Sequence, residues 1–364
     1  MIKTGRAAVY DAPNEPFVIR EFPVRDVKPD EVLIRVTMST ICRSDIHSYL
    51  GHRPNPCPGI LGHEIIGIIE QLGASVTHDL RGDALKCGDR VTWTEFFHSG
   101  DSYYADVHDM PQKAEGVRKY GHDLANEDPH FLGGFAEYCY IQPGTGILKL
   151  PDSISDEEAT PLNCGVATMI SVIEATEISE GDTVVIQGLG LLGLYGCAIA
   201  KSCGAKHVIG LDAVANRLKI ATKFGADHTI DISSIAANQQ IEMVRKICQP
   251  DGADAVIEVC GVPAAVPVGL KMLRVGGRYT IAGLVNPDAH FTLDGNEILK
   301  RYITLKGIHN YHPRHLIKAL DFVMENRHRF PFADIVDSKF SLDQLDEAFA
   351  RAGQNDVLRA AIVP

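Results

Sequence analysis

The chain has 364 residues, 45% of them hydrophobic, which is enough for two domains with a core each. Its formal net charge of −12 argues against a nucleic-acid partner. No apolar run is long enough to span a bilayer, and no basic-then-apolar leader opens the chain, so no membrane partner is expected.

To about residue 150 the pattern is β-rich: short apolar runs at 32–38 and 65–70 are punctuated by Gly, Pro and Asp. Gly88-Asp89-Arg90-Val91 reads as a turn into a strand. Residues 93–131 are polar and irregular, and a segment of that length is usually a functional loop or lid. After Pro151 the pattern changes. Thr183–Gln187 reads as a strand, 191–203 as a helix ending at Gly204, 208–211 as a strand and 216–224 as a helix stopped by Gly225. The alternation continues through 255–259, 266–273, 278–282 and 303–308, which predicts a parallel sheet covered on both faces. Beyond Asn310 a helix is expected over 316–326.

Gly188-Leu189-Gly190-Leu191-Leu192-Gly193 follows the strand Thr183–Gln187 and opens a helix, the context that a dinucleotide fingerprint requires. Gly188 permits the tight turn, Gly190 lets a pyrophosphate approach the backbone, Leu192 lies inside the turn, and Gly193 lets helix pack on strand. Unpaired N–H groups at the helix start suit phosphates. Asp212 ends the next strand, where a carboxylate binds ribose hydroxyls and repels a 2′-phosphate. NAD is therefore favoured as cofactor, and the nearby Arg217 keeps NADP use open.

Cys42-Arg43-Ser44-Asp45-Ile46-His47 and Gly62-His63-Glu64-Ile65-Ile66-Gly67 bring thiol, imidazole and carboxylate together in sequence, a donor set that zinc accepts. A zinc-protease motif is excluded, because it needs a second His where Gly67 stands. The second segment, with Gly73, Ala74 and Val76, resembles the zinc alcohol dehydrogenase signature of the medium-chain dehydrogenase/reductase superfamily. The resemblance covers nearly the whole chain. It implies an α/β fold with a GroES-like β-rich catalytic domain at 1–160, a Rossmann domain with a doubly wound parallel sheet at 161–309, and a return to the catalytic domain at 310–364.

The same resemblance implies Cys42, His63 and the Cys164 of Asn163-Cys164-Gly165 as ligands of one catalytic zinc, with Glu64 beside them as an occasional ligand. Three protein ligands leave a position open for water or alcohol. Zinc would lower the alcohol's pKa, and NAD would take the hydride, giving a ketone or aldehyde from a small-molecule, secondary alcohol. Ser44 and His47 are expected to relay the released proton, Asp45 to orient a metal-bound His, and Arg43 to pair with the cofactor pyrophosphate. A cytoplasmic homodimer or homotetramer is expected.

One departure stands out. Many relatives carry a second zinc on four closely spaced cysteines, but residues 93–114 contain none. His98, Asp101, Asp106 and His108 are the alternative donors there. Cys57, Cys87, Cys139, Cys197, Cys203, Cys248 and Cys260 read as reduced structural thiols. Segments 117–123, 133–138 and 307–311 resemble the phosphonate-catabolism-associated subgroup, with a cyclic or terpenoid alcohol as the alternative substrate. Lys119, His122 and His309 are candidate contacts for an anionic group. Two rival readings remain: a zinc-free NADPH reductase of the same superfamily, and a non-catalytic binding protein on the dehydrogenase fold.

Overall fold

The computed structural model describes residues 3–354 and 357–364. It divides into two units, one of Met1–Ala167, Tyr311–Glu325 and Phe332–Pro364, the other of Thr168–Asn310 and Asn326–Pro331.

The first unit is built on a seven-stranded sheet. Its order is Val336–Ser341, Arg359–Val363, Val32–Thr40, Glu64–Leu72, Arg90–Trp93 and Ile147–Lys149, with Tyr138–Ile141 also paired to Val32–Thr40. Val32–Thr40 is rich in branched residues and buried over most of its length, as a central strand should be. It runs antiparallel to Glu64–Leu72, with Thr40 opposite Glu64. On its other side Arg359–Val363 pairs antiparallel, with Ala361 opposite Thr40. Trp93, Phe131, Phe135 and Tyr140 fill the core of this unit.

The second unit carries a six-stranded, all-parallel sheet. Its order is His228–Asp231, His207–Asp212, Thr183–Gln187, Ala253–Glu258, Leu273–Ile281 and Thr304–Gly307. The first three run backwards in chain order and the last three forwards, so the winding reverses between Thr183–Gln187 and Ala253–Glu258. Ligands of doubly wound sheets bind at that reversal, beyond the carboxyl ends of the strands. Every residue of Thr183–Gln187 is buried, consistent with a strand covered on both faces.

The segment expected to be irregular at 93–131 contains two short strands, Phe96–Phe97 and Arg118–Lys119, paired antiparallel, and a helix at Tyr103–Asp106. Two-residue strands have no periodicity to read. The run 266–273 straddles a boundary, because the helix Ala265–Met272 passes directly into the strand Leu273–Ile281. The helix Ala237–Ile247 lay outside the predicted elements; it buries little besides Val244, so its sequence is mostly polar. Among the described residues no helix is long and apolar enough to cross a membrane.

Candidate metal and cofactor sites

The pairing of Thr40 with Glu64 positions the donors. Cys42 caps the helix Arg43–Tyr49 just beyond one strand, and His63 immediately precedes the other. Cys164 ends the short helical turn Thr160–Asn163. That turn is pinned by Asn163, whose Nδ2 donates to the carbonyls of His63 and Trp93, both at 2.9 Å. As a result, one donor atom each from Cys42, His63, Glu64 and Cys164 lies within 4.8 Å of the others. His63 Nε2 faces Cys164 Sγ and Ser44 Oγ, each at 3.5 Å.

Asp45 fixes the opposite edge of the imidazole. Its carboxylate accepts from the N–H groups of Cys42 and Gly62 at 2.8 and 3.1 Å, and lies 3.2 Å from His63 Nδ1. Burial pushes the His63 imidazole down, but Asp45 and Cys42 outweigh it and raise it well above the usual histidine range. A hydrogen bond from Cys164, aided by Arg359 and His63, overcomes burial and holds the Cys42 thiol well below its ordinary value. A stabilised thiolate beside an imidazole and a second thiol is a donor set that fits zinc.

Three residues outside the predicted set complete this site. Arg359 grips Glu64 with two hydrogen bonds, Nε to Oε2 at 2.8 Å and Nη2 to Oε1 at 3.0 Å, and Nη2 also reaches Cys42 Sγ at 3.8 Å. Thr40 Oγ1 donates to Glu64 Oε2 at 2.5 Å. Glu95 follows the strand Arg90–Trp93, and its Oε2 lies 3.8 Å from His63 Nε2. None of the three carries a motif; Arg359 sits in the pairing partner of Val32–Thr40, which only the sheet order reveals. Of the remaining predicted residues, Arg43 is exposed on the first turn of its helix. His47 is partly buried, its Nδ1 3.5 Å from His52 Nδ1, and burial together with Arg43 and His52 pushes its imidazole down.

In the other unit, Gly188 sits at φ +97°, a backbone shape that favours glycine. A Cβ on Gly193 would lie 1.8 Å from the Gly188 carbonyl oxygen, so the turn cannot close without glycine there. A Cβ on Gly190 would meet nothing within 4 Å, which leaves the backbone open where a pyrophosphate would approach. Leu192 lies in the first turn of the helix Leu191–Ser202. Asp212 accepts from the N–H groups of Leu189 and Val214 at 2.7 and 2.9 Å, and Arg217 Nη1 lies 3.8 Å from its Oδ2. Strand end, glycine turn and helix start are thus tied by one carboxylate, and the cradle fits a dinucleotide.

The profile described as "Alcohol dehydrogenase GroES-like domain" matches residues 28–152, and "Zinc-binding dehydrogenase" matches residues 192–325. Sorbitol dehydrogenase of Bacillus subtilis is 31% identical over 377 residues, covering 99% of this chain and 97% of that protein. The chain belongs to the zinc-binding medium-chain alcohol dehydrogenases. Among other members, 5-exo-hydroxycamphor dehydrogenase of Pseudomonas putida is 29% identical, with 90% of each chain covered. The crystal structure of an alcohol dehydrogenase from Thermotoga maritima superposes with a TM-score of 0.94 at 29% identity over 100% of both chains.

Within this family member the cysteine-free segment is held by other means. Asp106 accepts from the Ser102 N–H at 2.8 Å, and the His108 ring packs on Tyr103 with centroids 4.8 Å apart. Among the described residues, His98, Asp101, Asp106 and His108 do not converge as a donor group. All nine cysteines are free thiols.

The candidate anion contacts are divided. Lys119 donates to Glu95 Oε1 at 3.3 Å, and His309 belongs to the other unit. His122 stacks against His63, with ring centroids 6.3 Å apart, and shares a hydrogen bond with Asn55. Burial, with Arg53, His63 and Lys119 nearby, pushes the His122 imidazole down to about 2. The folded protein therefore keeps His122 neutral, whereas the unfolded chain takes up a proton below about pH 6.5. Stability contributed above that pH is lost as pH falls, by at most about 1.4 kcal/mol per pH unit from this group. His122→Gln is expected to flatten the loss of urea-midpoint stability between about pH 6 and pH 4. An unaltered acid profile would mean the imidazole protonates freely in the folded state.

Proposed function

We propose that the protein is a zinc-dependent alcohol dehydrogenase that uses NAD to oxidise a secondary alcohol to a ketone. The observation carrying this reading is the convergence of Cys42, His63, Glu64 and Cys164 donor atoms within 4.8 Å of one another. When bound, zinc supplies Lewis-acid polarisation of the alcohol oxygen, and the nicotinamide accepts the hydride.

The chain's own residues divide the remaining work. Cys42, His63 and Cys164 would hold the metal, and Glu64 stands by with its charge shared by Arg359. Asp45 orients His63 through Nδ1. Ser44 Oγ, 3.5 Å from His63 Nε2, and the His47 imidazole would take the released proton outward. Gly188, Gly190, Leu192 and Gly193 form the pyrophosphate cradle, and Asp212 supports NAD over NADP. The thiolate character of Cys42 weighs against a zinc-free reductase. Relatives named for sorbitol and for 5-exo-hydroxycamphor support a hydroxyl-bearing substrate.

The test is NADH formation by the purified protein with secondary alcohols, before and after zinc removal by a chelator. Turnover that survives complete zinc loss would refute the reading. Asp212→Ala is expected to raise the NAD KM about tenfold and to narrow the preference over NADP, through lost ribose contacts and a loosened glycine turn. An unchanged NAD-to-NADP ratio would remove Asp212 from cofactor choice.

A further inference from the structure

Glu95 takes no part in the chemistry above, yet it stands beside it. The residue is 6% exposed. Its backbone N–H donates to Tyr311 Oη at 3.2 Å, and that hydroxyl in turn donates to the carbonyl of Asn163, next to Cys164. The base of the side chain is therefore fixed to the same turn that positions a metal donor.

The carboxylate has two differently employed oxygens. Oε1 accepts from Lys119 Nζ at 3.3 Å, and Oε2 lies 3.8 Å from His63 Nε2. Lys119 is delivered by the strand pair, where it stands opposite Phe96. Side-chain exposures of 8% for Glu95 and 20% for Lys119 mark a pair built into the fold rather than a loose surface contact. Burying a carboxylate is unfavourable without partners, so the position is costly unless it is used.

Glu95 is not one of the four residues whose donor atoms converge. Its Oε2 instead faces the region shared by His63 Nε2, Ser44 Oγ and Cys164 Sγ. An ionised carboxylate only accepts hydrogen bonds. An alcohol held there with a hydroxyl or ammonium on the neighbouring carbon would supply a donor. A hydrocarbon neighbour would strip water from the carboxylate and give nothing back. A phosphonate would meet like charge, and the Lys119 ammonium that could attract it is already engaged by Glu95.

We infer that Glu95 is a specificity-determining residue, selecting alcohols that carry a hydrogen-bond donor beside the carbinol carbon. The inference rests on the dehydrogenase reading for its substrate.

A series sharing one carbinol tests it: isopropanol, propylene glycol, isopropanolamine and hydroxypropylphosphonate. Each is assayed for turnover with NAD, and each is titrated into cobalt-substituted protein, whose visible bands report binding without turnover. The wild type is expected to favour the glycol and the amino alcohol over isopropanol by about tenfold or more in kcat/KM. Glu95→Gln should cut the amino-alcohol advantage over isopropanol about tenfold. The double variant Glu95→Leu/Lys119→Leu removes both charges together and should erase the advantage of both donors.

Donor-selective binding without turnover would keep the inference and overturn the dehydrogenase reading. Turnover without donor selectivity, or preference for the phosphonate, would overturn the inference and keep that reading. Loss of zinc or shifted cobalt bands in Glu95→Gln would make Glu95 a metal ligand and likewise overturn the inference.

Discussion

His63→Ala is expected to lose zinc and to lower kcat/KM by at least about a thousandfold, some 4 kcal/mol of transition-state stabilisation. The imidazole is held from both sides, with Asp45 at Nδ1 and Cys164 Sγ facing Nε2. Without it, Cys42, Cys164 and a carboxylate engaged by Arg359 remain, and the cluster has lost its imidazole donor. Binding of NAD, measured by calorimetry, should survive, because Gly188, Gly190 and Asp212 belong to a separate unit. Zinc measured by atomic absorption at one equivalent, together with near-normal turnover, would sink the assignment of His63 to the metal.

Arg359→Met should destabilise the protein by about 3–5 kcal/mol, read as a lower denaturant midpoint. Glu64 is fully buried and Arg359 is 6% exposed, so removing the guanidinium strands a carboxylate away from water. Burial opposes the Arg359 charge, but Glu64 and Cys42 raise it above its ordinary value, while burial raises the Glu64 carboxyl against the lowering pull of Arg359. The double variant Glu64→Leu/Arg359→Met should recover much of the loss, since a well-packed apolar pair is tolerated where a lone charge is not. A single-variant loss under about 1 kcal/mol would mean that water reaches Glu64.

Much of this architecture could be read from spacing. The dinucleotide unit was legible because Thr183–Gln187 and His207–Asp212 are short buried runs and the helices that follow them stop at Gly204 and Gly225. Cys42, His63 and Cys164 were legible through the residues around them, and the structure brings their side chains together. The rest depends on three-dimensional neighbours. Glu95 is one acid in a polar stretch until the pairing of Ile66 with Thr92 carries the end of Arg90–Trp93 alongside the strand that follows His63. Arg359 becomes part of the site only because Ala361 pairs with Thr40. Asn163 is visible in the Asn-Cys-Gly sequence, but nothing local shows that its amide spans two carbonyls from different segments. The segments 117–123, 133–138 and 307–311 that suggest a subgroup include Lys119 but not its buried partner Glu95, which lies outside all three.

The Arg359–Glu64 contact joins residues 295 positions apart, and it also touches the thiol of Cys42. The dinucleotide unit lies within that interval, and its strands pair only with one another. Local closures form early and distant ones late. A nascent chain can complete the second unit before Arg359 has been made, and until then the Glu64 carboxylate lacks the guanidinium that balances it.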